Sequence, residues 1–224
     1  MPRTTIIETQ KLIGKKVKVC GWVHSIRSHG KIIFVDLRDR SGVLQIVATP
    51  ELAKDIKNEY VLEIEGKIQK RPAKMVNPEL ETGEVELGAE NIKILAKAEA
   101  PNMDLKDLKA SLPVLLDYRP LTLRNEKIKS IFKIEEEVIF AFRNILKKLE
   151  FTEFQAPIIV PANAEGGAAV FHIDYYNRDA YLAQSPQLYK QILVGVFEKV
   201  FTVTQVFRAE PSVTTRHISE YISL

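Results

Sequence analysis

Two arginines, Arg208 and Arg216, anchor the densest polar cluster in the sequence. Phe207-Arg208-Ala209-Glu210 is followed, after a short loop, by Thr214-Thr215-Arg216-His217-Ile218-Ser219-Glu220-Tyr221. An arginine at the end of a strand suits a phosphate or carboxylate, because its planar fork donates to two oxygens at once. A second arginine could clamp the far end of a polyphosphate. A glutamate can accept from an exocyclic amine, and an aromatic ring can stack on a base. The same residues also fit a hairpin held by surface ion pairs, which are common and weakly stabilising. Spacing alone leaves that plainer reading ahead.

A second cluster lies near the start. Ile33, Val35 and Leu37 form one apolar face of a strand, and the other face carries Ile32, Phe34, Asp36 and Arg38. A large aromatic among charges is how small β-barrels stack unpaired bases. Cover by a loop explains it equally well. Residues 1–40 hold nine Lys/Arg (Arg3, Lys11, Lys15, Lys16, Lys18, Arg27, Lys31, Arg38, Arg40) against three acids (Glu8, Asp36, Asp39), on a chain of net charge +3. A basic start on a near-neutral body suggests a phosphate-rich partner, or else a solvated lysine-rich surface.

These clusters need elements to hold them. Residues 16–95 alternate as strands over Lys16–Val23, Lys31–Arg38, Val43–Val47, Tyr60–Gln69 and Val85–Leu95. A short helix is expected within Pro50–Asn58, and the whole matches a five-stranded OB barrel. Ala96–Pro120, with Pro101, Pro113 and Pro120, reads as a connector. Apolar residues then recur at helical spacing from Lys127 to about Glu150. Phe151–Val160 is expected to be extended, with Pro157 at an edge or interface. A helix from Gln184 or Ser185 to about Glu198 and strands over Val200–Ala209 and His217–Leu224 complete the pattern.

The chain has 224 residues, 46% hydrophobic and 27% charged, which suits two modest domains and argues against disorder. No apolar run approaches a membrane span, and the start has no secretory h-region. The single cysteine, Cys20, cannot form an internal disulfide. A cytoplasmic protein is the simplest expectation. No residue set has metal-ligand spacing, and His24, His29 and His172 are expected to be surface or capping residues.

Taken in order, the motifs resemble one family. Phe207-Arg208-Ala209-Glu210, Arg216-His217 and Glu220-Tyr221 resemble motif 2 of the class II aminoacyl-tRNA synthetases, aspartyl/asparaginyl branch. Gly21-Trp22-Val23-His24, Phe34 to Asp39 and Gln45 resemble that branch's anticodon-binding barrel. The long helix and Pro157 resemble motif 1. Glu165-Gly166-Gly167 and Gln184-Ser185-Pro186-Gln187-Leu188-Tyr189-Lys190-Gln191 resemble its amino-acid site.

The resemblance implies an α+β protein. Residues 1–96 would be the OB barrel, 97–120 a linker, and 121–224 the first part of an antiparallel-sheet catalytic domain. It implies ATP-dependent activation of L-aspartate and transfer to tRNA-Asp, with tRNA-Asn an open second acceptor. Arg208 would be catalytic, bridging the amino-acid carboxylate and the α-phosphate. Glu210, Arg216, His217 and Tyr221 would bind ATP. Glu165, Ser185, Gln187 and Lys190 would hold the amino acid, with Lys190 facing its side-chain carboxylate. Phe34, Gln45, Arg27 and Glu86 would contact the anticodon, and Pro157 a homodimer partner. Motif 3 and the Mg²⁺ ligands would lie beyond Leu224, so an inactive fragment is expected. Two alternatives stay open: an asparaginyl enzyme, and a non-catalytic tRNA-binding module.

Overall fold

A computed structural model describes residues 1–99, 103, 109–162, 169–211, 214 and 217–224. It divides into two compact units, Met1–Ala110 and Ser111–Leu224.

In the first unit five strands close a barrel: β1 (Lys16–His29), β2 (Ile32–Asp39), β3 (Gly42–Ala48), β4 (Val61–Lys70) and β5 (Val85–Ala96), in the order β1-β2-β3-β5-β4. Only the β3–β5 seam is parallel. The long β1 serves two neighbours, β4 along Lys16–Trp22 and β2 along Trp22–His29. The helix α1 (Pro50–Ala53) sits between β3 and β4, and Thr49 caps it by accepting from Leu52 N at 3.4 Å. Alternation puts Val17, Val19, Val35, Leu37, Leu44, Ile46, Leu62, Ile64, Ile68 and Leu87 inside, at 4% exposure or less. Each such side chain contributes roughly 1.5–3 kcal/mol by leaving water. Gly21 lets β1 approach β2 closely, since a Cβ there would overlap the Arg38 carbonyl oxygen.

Strand β1 runs six residues past the Val23 end expected from its alternation, and a bulge is the reason. Val23 faces Leu37 and Ser25 faces Asp36, so His24 is the extra residue. Val17, Val19, Gly21 and Val23 point inward before it; after it Ile26 takes the inward position against the core. Ser25 and Arg27 are thereby turned to the outer face.

The basic start is not a bare cationic patch. Arg3 pairs with Asp39, Lys16 with Glu90, Lys18 with Glu63 and Glu65, Arg27 with Asp36, and Arg38 with Glu59. Lys16 and Lys18 meet acids of β5 and β4, Arg3 and Arg27 acids of β2, and Arg38 the Glu59 just before β4, so five of the nine cations are paired.

The second unit begins inside the stretch expected to be a linker. Its first helices are α2 (Leu112–Asp117) and α3 (Arg119–Thr122). Pro113 and Pro120 lie in their first turns, where a missing N–H breaks no bond, so these prolines start helices instead of ending them. Helix α4 (Glu126–Lys148) is capped by the Asn125 side chain, which accepts from Lys127 N at 3.0 Å. Its half-buried stripe is Ile128, Ile139, Phe142 and Leu146, and Phe142 meets Phe201 edge-on at 5.8 Å. Ile131, Ile134, Val138, Ile145 and Leu149 are at least half exposed.

The expected extended run 151–160 is two short strands, β6 (Thr152–Glu153) and β7 (Ile159–Val160), with exposed Pro157 between them. There follow β8 (His172–Asp174), β9 (Asp179–Leu182), α5 (Gln187–Phe197), β10 (Val200–Phe201), β11 (Thr204–Phe207) and β12 (Glu220–Ser223). The antiparallel expectation holds in β7-β9-β8 and β11-β12, whereas β6 and β10 pair in parallel. Among the described residues no helix is long and apolar enough to cross a membrane.

Candidate functional site

The four residues expected at an anticodon stand together on the barrel's outer face. Register places Arg27 opposite Phe34, Asp36 opposite Gln45, and Gln45 opposite Glu86, across three neighbouring strand pairs. Hydrogen bonds join them into a chain. Ser25 Oγ donates to Asp36 Oδ2 at 2.5 Å, and Arg27 Nη2 donates to Asp36 Oδ1 at 2.9 Å. Arg27 Nη2 also reaches Gln45 Oε1 at 3.3 Å, and Gln45 Nε2 donates to Glu86 Oε2 at 2.9 Å. Phe34 is half-buried, and His29 contributes to its cover, ring against edge at 5.7 Å. An aromatic ring beside a fixed amide and a guanidinium can stack a base and hydrogen-bond its edge.

Two residues of this face, Ser25 and Arg71, escaped the sequence pattern, and a third, Asp36, was placed on it without its partners. Ser25 and Asp36 complete the chain, and only the bulge, invisible in an alternation count, brings Ser25 there. Arg71 is buried at 5% exposure; its Nε donates to Val85 O at 3.0 Å, and among the described residues its Nη2 has no hydrogen-bond partner. Burial lowers its guanidinium below the usual value, the carboxylates of Glu86 and Asp36 oppose this, and Arg27 adds to it.

In the second unit the β11–β12 hairpin gathers Arg208, Glu210, His217 and Tyr221. With Ile218 they line a cavity of about 240 Å³. Arg208 N donates to Ser219 O at 3.0 Å, which fixes the end of the hairpin. Its guanidinium lies 5.9 Å over the Tyr221 ring, a cation–π contact, and its buried Nε has no hydrogen-bond partner among the described residues. His217 shares a 2.7 Å hydrogen bond with Thr214. A donor with unspent capacity beside an aromatic ring and a carboxylate suits a nucleotide's phosphate and base.

The amino-acid residues are not gathered there. Ser185 lines a separate cavity of about 120 Å³ with Gln184, Leu182, Leu188 and Tyr189. Its hydroxyl accepts from Gln187 N at 3.3 Å, ahead of α5. Gln187 and Lys190 are exposed on α5, and among the described residues Lys190 makes no ion pair. Glu165 and Arg216, with Gly166 and Gly167, lie outside the described residues. Also among the described residues, no group of three His, Cys, Asp or Glu side chains is placed to hold a metal ion.

Residues 17–95 match the OB-fold nucleic acid binding domain family, and residues 111–224 match the class II tRNA synthetases (D, K and N). A nucleic-acid-binding barrel is followed in sequence by a domain whose hairpin cavity is lined by an arginine, a carboxylate and a tyrosine. This chain belongs to the class II tRNA synthetases of the D, K and N group. It is 39% identical over 225 residues to the aspartate–tRNA(Asp/Asn) ligase of Thermus thermophilus, covering 99% of this chain and 51% of that relative. It is 41% identical over 230 residues to the ligase of the same name from Deinococcus radiodurans, covering 100% and 50%. The asparaginyl-tRNA synthetase of Pyrococcus horikoshii, solved with asparaginyl-adenylate, superposes with a TM-score of 0.89 at 32% identity, over 99% of this chain and 52% of that one. The chain spans about half the length of the curated relatives it matches.

Proposed function

We propose that this chain carries the anticodon-binding and nucleotide-binding parts of an aspartate–tRNA ligase. The observation that carries this is the convergence of Arg208, Glu210, His217 and Tyr221 on one cavity. In the proposed reaction an aspartate carboxylate oxygen attacks the α-phosphorus of ATP and pyrophosphate leaves. The terminal hydroxyl of tRNA then attacks the acyl carbon and AMP leaves. Arg208 bridges the carboxylate and α-phosphate, where charge builds in the transition state and a fixed cation helps most. Glu210 accepts from the adenine amine, Tyr221 stacks on the ring, and Arg216 and His217 lie along the phosphates. Glu165, Ser185 and Gln187 hold the amino acid, and Lys190 faces its side-chain carboxylate. When bound, Mg²⁺ would neutralise charge on the phosphates.

On the barrel, Phe34 stacks on the middle anticodon base, Gln45 reads its edge, and Arg27 and Glu86 contact flanking nucleotides. The genetic code gives aspartate and asparagine tRNAs the same middle uracil, and the bacterial relatives' names join the two. We therefore include tRNA-Asn as a second acceptor. The Pro157 segment and the uncovered stripe of α4 form the homodimer contact, and the setting is cytoplasmic protein synthesis.

The test is aspartate-dependent pyrophosphate exchange by this chain fused at Leu224 to the remaining half of the Thermus thermophilus relative. Exchange should appear, and Arg208→Ala should abolish it. Lys190→Met should lower kcat/KM for aspartate more than for asparagine. An active fusion indifferent to Arg208→Ala, or one that prefers asparagine, overturns the reading.

A further inference from the structure

We propose that Asp36 is the positioning residue of the barrel's nucleic-acid face, acting through Arg27 to fix which way the Gln45 amide points. The inference rests on the anticodon reading above and adds a residue to it. Both Asp36 oxygens are occupied, Oδ2 by Ser25 and Oδ1 by Arg27, and the side chain is only 13% exposed. The carboxylate therefore cannot swing, and it holds a guanidinium that is itself 52% exposed. An exposed arginine otherwise samples many rotamers. Held in this way, Arg27 donates to Gln45 Oε1, so the amide's Nε2 must face Glu86. One Nε2 hydrogen serves Glu86, and the second remains for an acceptor on a base. Without Asp36 the oxygen side of the amide loses its fixed donor and Glu86 alone orients it, so the free Nε2 hydrogen is held less firmly toward the base.

The expected sign runs against simple electrostatics. Removing a carboxylate from a surface that binds a polyanion should tighten binding. If Asp36 orders Arg27 and Gln45, removing its charge should weaken binding and blur base choice. The measurement is the affinity of the 224-residue chain for short anticodon stem-loop RNAs with uracil or cytosine at the middle position. Asp36→Asn should weaken the uracil loop about tenfold, the effect of one well-placed hydrogen-bond network, and leave the cytosine loop nearly unchanged. In an Arg27→Ala background the same substitution should have no further effect, because Asp36 acts only through Arg27. Asp36→Glu should restore part of the discrimination.

Unchanged or tighter binding by Asp36→Asn overturns the proposal, as does a loss that persists without Arg27. A second readout needs no RNA. In ¹⁵N spectra the Gln45 amide and Arg27 Nε–H should be sharp and distinct in the parent chain and averaged in Asp36→Asn. If the parent chain binds neither loop, the anticodon reading fails, and these spectra alone decide the positioning role. Unaltered Gln45 and Arg27 signals overturn it.

Discussion

At the scale of single residues, the barrel face separates stacking from electrostatics. Phe34 lies opposite Arg27 on the outer face, while five of the nine early cations are matched by carboxylates. Binding should therefore lean on the ring more than the basic start implies. Phe34→Ala should reduce anticodon-loop affinity by about 1–3 kcal/mol, the usual size of a base–aromatic stack. It should leave the slope of affinity against salt unchanged, since no phosphate contact is removed. A titration across several salt concentrations measures both, and a flattened slope would assign Phe34 no stacking role. Cys20 gives a pH-dependent case. Burial raises its thiol pKa, Glu63 adds to the rise, and Arg3 and Lys18 oppose it. The thiolate is the nucleophile, so at pH 8 alkylation by iodoacetamide should be slower than for free cysteine, and its rate should climb only at higher pH. The folded chain keeps the proton longer than the unfolded one, so this group's contribution is full below the ordinary thiol pKa and fades as pH rises through the raised one. Alkylation as fast as for free cysteine would contradict the burial.

At the scale of elements, the bulge at His24 decides which side chains can meet RNA. Deleting His24 removes the extra residue and leaves a regular strand in which Ser25 and Arg27 still face outward and Ile26 inward. The barrel should therefore keep its fold and most of its urea stability without His24. A loss of several kcal/mol in urea denaturation, the cost of burying an unpaired guanidinium, would mean that Arg27 has turned inward. The cap of α4 is a smaller and cleaner case: Asn125→Ala removes the acceptor for Lys127 N and should cost about 1 kcal/mol in chemical denaturation. These two sites mark what the sequence could and could not disclose. The five strands, the α1 turn and α4 were legible because period-two and 3.6-residue patterns carry through each of them. The length of β1 was not, because one inserted residue breaks the period that defines a strand. Pro113 and Pro120 misled for a related reason, since proline stops a helix from inside and starts one from its first turn. Phe34 stood out in its strand's pattern, while Gln45, Arg27 and Glu86 were expected at the anticodon only through the family resemblance. Asp36 and Arg71, which hold or neighbour them, depend on cross-strand register that no local pattern encodes.

At the scale of the whole molecule, the two units differ in how much apolar surface they bury. The barrel closes one continuous core of largely inaccessible aliphatic side chains. In the second unit neither α4 nor α5 has a buried residue. Leu188, Ile192 and Val196 recur every four residues along α5 at 54%, 57% and 68% exposure. Hydrophobic stabilisation scales with area removed from water, so the second unit should be the weaker one. Unfolding in urea should then proceed in two steps rather than one. The single tryptophan, Trp22, lies on β1 and reports the barrel, while most of the described helix lies in the second unit. Helical circular dichroism should therefore be lost at lower urea than the Trp22 fluorescence change. Coincident curves would show that the units unfold together. The same exposed line predicts the solution behaviour of the chain, because contiguous apolar surface of this kind promotes association. Leu188→Lys and Ile192→Lys together should leave the urea midpoints in place, since neither side chain is buried, while reducing binding of a hydrophobic dye and raising the concentration at which the chain associates. If the pair instead destabilises the first transition by several kcal/mol, the loss typical of a buried side chain, then this face of α5 is covered in solution and the second unit is better packed than its exposure indicates.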